Sequence, residues 1–224
     1  MKFLEFPSLD SINLFLGDLY LGETTIRGCL EVFSCKHTAT DRRLSFSLEQ
    51  EMLDYLGQSS ESASPSPVEH LISRSSRKTR IYLVLALSHM YPDYDFSAVK
   101  AHLFFKDEEL ETFRQMFDTY LFEAAKKWDV ENEGGSLLES SLKLIDEVVR
   151  LSECEIHSYK PDFEGDPFLE KGAIWSFNFF FYNRKLKRIV SFRCCASSNL
   201  PAEIDDDVLT ENEVDYDLLS DMEM

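Results

Sequence analysis

AIWSFNFFFYNRKLKRIVSFRCC, residues 173–195, is the stretch whose reading decides the architecture. Six aromatic rings fall within residues 175–182, and four cations follow at Arg184, Lys185, Lys187 and Arg188. Side chains alternate along a strand, so Trp175, Phe177, Phe179 and Phe181 share one face, while Ile174, Ser176, Asn178, Phe180 and Tyr182 share the other. Both faces are largely apolar, which suits a sheet covered by helices on both sides. Asn183-Arg184-Lys185 reads as the turn of a hairpin whose second strand is LKRIVSFRCC. The predicted fold is α+β, an α/β globular domain with an antiparallel sheet and helices packed on it.

Working outward, ECEIHSYKPD (153–162) reads as a further strand. Ser136 and Glu139 form a capping box ahead of a helix with the face Leu138, Leu142, Ile145 and Val149. Residues 107–128 read as one helix, because Leu110, Phe113, Phe117, Leu121, Ala124 and Trp128 recur at helical spacing. Gly134-Gly135 separates the two. The continuous apolar run IYLVLALSHMY (81–91) is expected to be a central, doubly covered strand ended by Pro92. Leu44, Leu48, Met52 and Leu56 stand four apart, so 41–56 reads as a helix opened by Asp41. A short helix capped by Ser8 is expected over 8–16, then a hairpin with its turn at Gly22-Glu23 and a bulge at Gly28.

Residues 57–80 hold eight serines, two Ser-Pro steps and little to bury. They are expected to be a mobile insertion within one globular domain spanning 1–202. Residues 203–224 hold ten acids and no Lys or Arg, leaving 31 acids against 23 bases elsewhere, and are expected to be a disordered acidic tail. A net charge of −18 argues against a general nucleic-acid coat and against direct sequence-specific DNA binding. No run of about 18 apolar residues is present, so no membrane span is expected. The acidic start lacks the form of a secretory signal, and an intracellular place is expected. The five cysteines (29, 35, 154, 194, 195) show no CxxC pair and read as small hydrophobes; Cys194 and Cys195 must face opposite ways in a strand.

No phosphate loop, dinucleotide fingerprint, zinc-protease motif or nucleophile elbow occurs, so no catalytic residue, metal or cofactor is expected. A hydrolase would need Asp93, Asp95 and His102 to converge, with His89 nearby. Arg42-Arg43-Leu44-Ser45 has the form read by basophilic kinases. Ser64 and Ser66 precede prolines, and Ser75 and Ser76 lie among Arg74, Arg77 and Lys78; all five serines are candidate phosphorylation sites. Arg77, Lys78, Arg80, Arg184, Lys185, Lys187 and Arg188 are candidate import or docking residues. Two readings of the aromatic hairpin stay open: a core filled by rings, or an RNA-binding face on which rings stack bases and cations hold phosphates. The tail carboxylates Asp205, Asp206, Asp207, Glu211, Glu213, Asp215 and Asp217 are candidates to mimic phosphate charge in a basic groove.

MKFLE, TIRGCLEVFSCK, RKTRIYLVLALSHMYPDYDFS and DPFLEKGAIWSFNFFFYNRKLKRIVSF, in that order over roughly residues 1–40, 77–105 and 153–195, resemble the Maf-type repressors of RNA polymerase III transcription. The resemblance implies a non-enzymatic regulator that binds RNA polymerase III and hinders its engagement with the TFIIIB-type initiation factor, lowering tRNA and 5S RNA synthesis. It implies inactivation by protein kinases, reversal by phosphatases, and shuttling between nucleus and cytoplasm with phosphorylation state. Residues 57–80 occupy the position of the family's variable insertion.

Overall fold

The computed structural model describes residues 1–59, 71–96, 100, 104–160 and 172–200. Its strands are β1 (Lys2–Leu4), β2 (Leu19–Tyr20), β3 (Thr24–Ser34), β4 (Phe105–Glu108), β5 (Glu155–Tyr159), β6 (Ala173–Asn183) and β7 (Arg188–Ser198). They form one sheet in the order β1-β3-β7-β6-β5-β4, with β2 also on β3, and every pairing is antiparallel. The helices are α1 (Asp10–Leu16), α2 (Ala39–Ser59), α3 (Arg74–Met90), α4 (Leu110–Tyr120), α5 (Phe122–Glu131) and α6 (Leu137–Val149).

The hairpin β6–β7 lies inside the sheet, and its alternation builds two cores. Phe177, Phe179, Phe181, Val190, Phe192 and Cys194 meet α1, α4, α5 and α6; Phe180, Tyr182 and Ile189 meet α2 and α3 on the other face. Phe113 of α4 stands edge-on to Phe179, Phe181 and Phe192, with ring centres 5.1–5.6 Å apart. Each such ring contributes about 1.5–3 kcal/mol by burial, and edge contacts add to that. The chain reverses on Asn183, whose Oδ1 accepts from the Lys185 and Leu186 N–H groups at 2.9 Å while its Nδ2 donates to Val149 O at 2.7 Å. A fully buried amide thus ties the hairpin tip to the end of α6.

Gly28 marks a close approach, where a bulge was expected. It pairs regularly with Cys194, and the register shift lies instead at Ala173/Trp175. A Cβ at Gly28 would stand 2.6 Å from Cys194 Sγ and 3.0 Å from Leu16 Cβ, so α1 can cross β3 only over glycine. Nearby, Asn13 of α1 donates to Leu30 O at 3.0 Å and accepts from Leu30 N at 2.7 Å. Its amide fills the gap that β1 and β2 leave along β3, satisfying backbone groups that an edge would otherwise leave unpaired.

Four further expectations are corrected. The run 81–91 is not a strand but the body of α3, with Thr79–Leu87 buried throughout. A helix covered by the sheet on one side and α2 on the other shows no polar face, so its sequence carries no 3.6-residue period. Residues 107–128 are not one helix: 107–108 end β4, and the backbone breaks at Leu121 (φ −107°, ψ 18°) between α4 and α5. The inward face Phe113, Phe117, Leu121, Ala124 and Trp128 nonetheless stays buried across the break. Ser8 lies in a 3-10 turn, Pro7–Leu9, and does not cap α1, whose capping position is Leu9. Of residues 57–80, 57–59 continue α2, Leu71 is buried and 74–80 start α3, leaving 60–70 outside the described residues. The expected acidic tail lies outside them too.

A charged cleft at the start of helix α3

Alternation along β5 turns Glu155, His157 and Tyr159 toward α3, and antiparallel pairing sets Asp107 of β4 beside His157. The first turns of α3 place Ser75, Ser76, Thr79 and Arg80 at helical spacing along the same region. Arg184 arrives from the β6–β7 turn. Ser76, Thr79, Arg80, Asp107, Glu155, His157 and Arg184 line one cleft of about 830 Å³, completed by Glu108, Glu109, Leu110, Asp146, Leu151, Ser152, Cys154 and Ile156.

The electrostatics follow from burial. Arg80 is buried, and its Nη2 donates to Asp107 Oδ1 at 2.7 Å. Burial lowers the Arg80 pKa while the Asp107 charge and hydrogen bond oppose that, and a guanidinium keeps its proton in either case. His157 Nδ1 lies 2.8 Å from the same carboxylate oxygen. Arg80 Nη1 lies 3.3 Å from the same ring nitrogen, which thus stands between a guanidinium and a carboxylate. His157 Nε2 is buried without a hydrogen-bond partner, 3.9 Å from Glu155 Oε2. Arg184 grips Glu155 through Nε and through Nη2 at 2.9 Å, and its Nη1 donates to Ser75 Oγ. Thr79 Oγ1 bonds back to Ser75 O at 3.2 Å.

The fold therefore unites two candidate phosphorylation sites, Ser75 and Ser76, with two candidate docking cations, Arg80 and Arg184. The remaining docking candidates serve local structure. Lys185 pairs with Glu153 at 3.1 Å, and Arg188 donates to Val148 O at 3.2 Å and lies over the Phe6 ring. Arg77 holds Leu71 O and Ile72 O, Lys78 lies over Tyr82, and Lys187 takes a left-handed φ of 52° in the turn. Ser45 sits on the inner stripe of α2 with Leu48 and Met52, its Oγ enclosed and without a partner. Ser64, Ser66, His102, Asp205, Asp206, Asp207, Glu211, Glu213, Asp215 and Asp217 lie outside the described residues.

One alternative loses its geometry, and the other, the hydrolase reading, has its His102 outside the described residues. The rings of Phe177, Phe179, Phe180, Phe181 and Tyr182 are buried, so an RNA-stacking surface has none of them to offer. His89 pairs with Asp41 at 3.0 Å, in a cluster with the Met1 ammonium, while Asp93 and Asp95 are exposed. Among the described residues no group of acids, histidines and cysteines is arranged to hold a metal, and no helix is long and apolar enough to cross a membrane. Sequence reasoning missed Asp107, Glu155 and His157. The signal was present: a strand with Glu and His on a face whose other neighbours are aromatic.

The model of the Maf1 regulator family matches residues 26–193. The chain is 30% identical over 253 aligned residues to the repressor of RNA polymerase III transcription of Dictyostelium discoideum, covering 92% of this chain and 88% of that one. It is 31% identical over 199 residues to the Schizosaccharomyces pombe repressor of RNA polymerase III transcription maf1, covering 85% and 80%. Two crystal structures of citrus MAF1 superpose with a TM-score of 0.74; they are 63% and 64% identical to this chain, covering 88% and 85% of it and 100% and 99% of their own length.

Proposed function

The chain belongs to the Maf1 regulator family, and on that premise we propose that it represses transcription by RNA polymerase III. It binds the polymerase and hinders engagement with the TFIIIB-type initiation factor, so tRNA and 5S RNA synthesis falls. The observation that carries this reading is likeness over nearly the whole length of two relatives named as such repressors. Transcription of a tRNA gene by purified RNA polymerase III and its factors, titrated with unphosphorylated protein, tests it, with a polymerase II template as control. Selective loss of the tRNA product is expected. Equal effects on both templates, or none, would sink the proposal.

Phosphorylation switches the repressor off, and phosphatases restore it. Ser45 supplies a physical route, because its hydroxyl already lies enclosed beside Leu48 and Met52. A phosphate there adds about 1.5–2 negative charges at a packed helix face. At Ser75 a phosphate would meet Arg184 and the start of α3, a contact that draws Arg184 from Glu155. The dephosphorylated form is nuclear and polymerase-bound, and the phosphorylated form cytoplasmic. Imaging Ser45→Ala and Ser45→Glu in cells checks that part: identical distributions would remove it.

A further inference from the structure

We propose that the chain's own acidic segment, residues 203–224, docks on a cationic surface formed by Lys36, Arg42, Lys78 and Lys187, where the end of β3, the starts of α2 and α3, and the β6–β7 turn meet. Docking of this kind is independent of the repressor reading.

The fold assembles the surface from four separate stretches of chain. Cys35, just past β3, donates its N–H to Lys187 O at 2.9 Å, which sets the hairpin turn beside the exit of that strand. His37 follows, its ring edge-on to Tyr82 of α3 at 5.3 Å, and Lys78 Nζ lies 5.6 Å from the centre of the same tyrosine ring. Tyr82 in turn meets Tyr182 of β6 at 5.9 Å, so buried rings floor the region. Arg42 stands in the first turn of α2, its N–H on Thr38 O at 3.3 Å. The charges converge: those of Lys78 and Lys187 both reach the Cys35 thiol, and those of Lys78 and Arg42 both reach the His37 ring.

These cations are unmatched, unlike Arg80 and Arg184, which Asp107 and Glu155 neutralise. Lys36, Arg42, Lys78 and Lys187 are exposed, and none has an ion-pair partner among the described residues. Asp41, the acid beside them, is buried and taken up by the Met1 ammonium, the Thr38 N–H and His89. Converging like charges repel, and an anion placed among them relieves each one.

The chain carries its own anion of the right sign and length. Residues 203–224 hold ten acids and no Lys or Arg. Strand β7 runs from Arg188, next to the turn, to Ser198, about 33 Å away. The chain past Leu200 spans about 80 Å when extended, so its acids from Glu211 to Glu223 reach back to the surface without strain. Single exposed ion pairs are weak. Tethering compensates by holding the carboxylates at an effective concentration of about a millimolar. So placed, the segment closes the surface to nucleic acid and other polyanions.

The test treats the full chain with a carbodiimide, which joins carboxylates to amines in contact, and maps the linked peptides by mass spectrometry. Carboxylates of 203–224 are expected on Lys36, Lys78 and Lys187 in clear preference to Lys127 and Lys143, which are exposed and within the same reach. An equal mixture of heavy-isotope-labelled and unlabelled chain should give few mixed pairs. Salt at about 0.5 M, which shortens the screening length to about 4 Å, should remove the preference. The double variant Lys36→Gln, Arg42→Gln keeps Lys78 and Lys187 as reporters and should cut their linkage roughly fivefold. Both changes spare the fold, since neither side chain is buried or paired among the described residues. Linkage spread evenly over all these lysines, a majority of mixed pairs, a preference that survives salt, or an unaltered yield in the double variant would each overturn the proposal. Absence of linkage would overturn it too, and a DNA duplex that then shields the same lysines would assign the surface to nucleic acid instead.

Discussion

Replacing Ser45 with glutamate tests how phosphorylation reaches the fold. The perturbation puts a carboxylate where Oγ is enclosed without a partner, on the stripe of α2 that carries Leu48 and Met52, at 0% and 2% exposure. Burying those two side chains contributes about 3–6 kcal/mol to docking α2 on α3 and the sheet. The effective penalty for an unpaired buried ion is several kcal/mol. The terms are comparable, so relief comes by α2 lifting away locally while the other core, built on Phe113, stays intact. Hydrogen exchange followed by mass spectrometry is the assay. Amides of 44–58 should lose protection in Ser45→Glu, and those of 137–149 should not. Ser45→Ala should be neutral, or stabilising by up to about 1 kcal/mol, since it removes an unsatisfied buried hydroxyl. Unchanged exchange across 44–58 in the glutamate variant would refute the reasoning and move any effect of Ser45 to a direct interface contact.

Other consequences are equally specific. Gly28→Ala should cost about 1–3 kcal/mol in urea unfolding, because its Cβ would meet Cys194 Sγ at 2.6 Å and the Leu16 side chain. Arg193 donates to Tyr91 Oη at 3.0 Å and pairs with the half-buried Glu31, whose pKa burial pushes up and Arg193 pulls down; Arg193→Ala should therefore cost about 1–3 kcal/mol, read by urea unfolding, by leaving that carboxylate without its partner. Burial pushes the Cys35 and Cys154 thiols up to about 12, so at pH 8 only about one in ten thousand is thiolate, and iodoacetamide should spare both in the native protein. Burial would raise the Asp41 pKa, but hydrogen bonds from the Met1 ammonium, the Thr38 amide and His89 outweigh it and hold the carboxyl well below its usual range. A depressed folded pKa stabilises above the unfolded value near 3.9 and is lost as pH falls below it. Asp41→Asn should therefore flatten the stability profile below about pH 4.

By itself the sequence determined the elements whose period is set locally. Alternation in 173–182 defined both faces of β6, and the structure separates them into two cores as the pattern requires. The inward stripes of α2, of α4 with α5, and of α6 were legible for the same reason: each helix has one wet face, so burial writes a 3.6-residue period. Ser136 accepting from Glu139 N shows the capping signal realised, although the Glu139 carboxylate turns to Arg114 instead of completing the box. Tertiary structure alone decided that 81–91 is helical, because a segment buried on all sides carries no period to read. It also decided the meaning of Gly28, whose constraint comes from a helix crossing the strand. The cleft belongs to the same class. Arg184 meets Ser75 across 109 positions, and Arg80 meets His157 across 77. Local sequence marked Arg80 and Arg184 as import or docking candidates; only the fold supplied the carboxylates that neutralise them, since ion pairing is a property of distance in space and not of spacing along the chain.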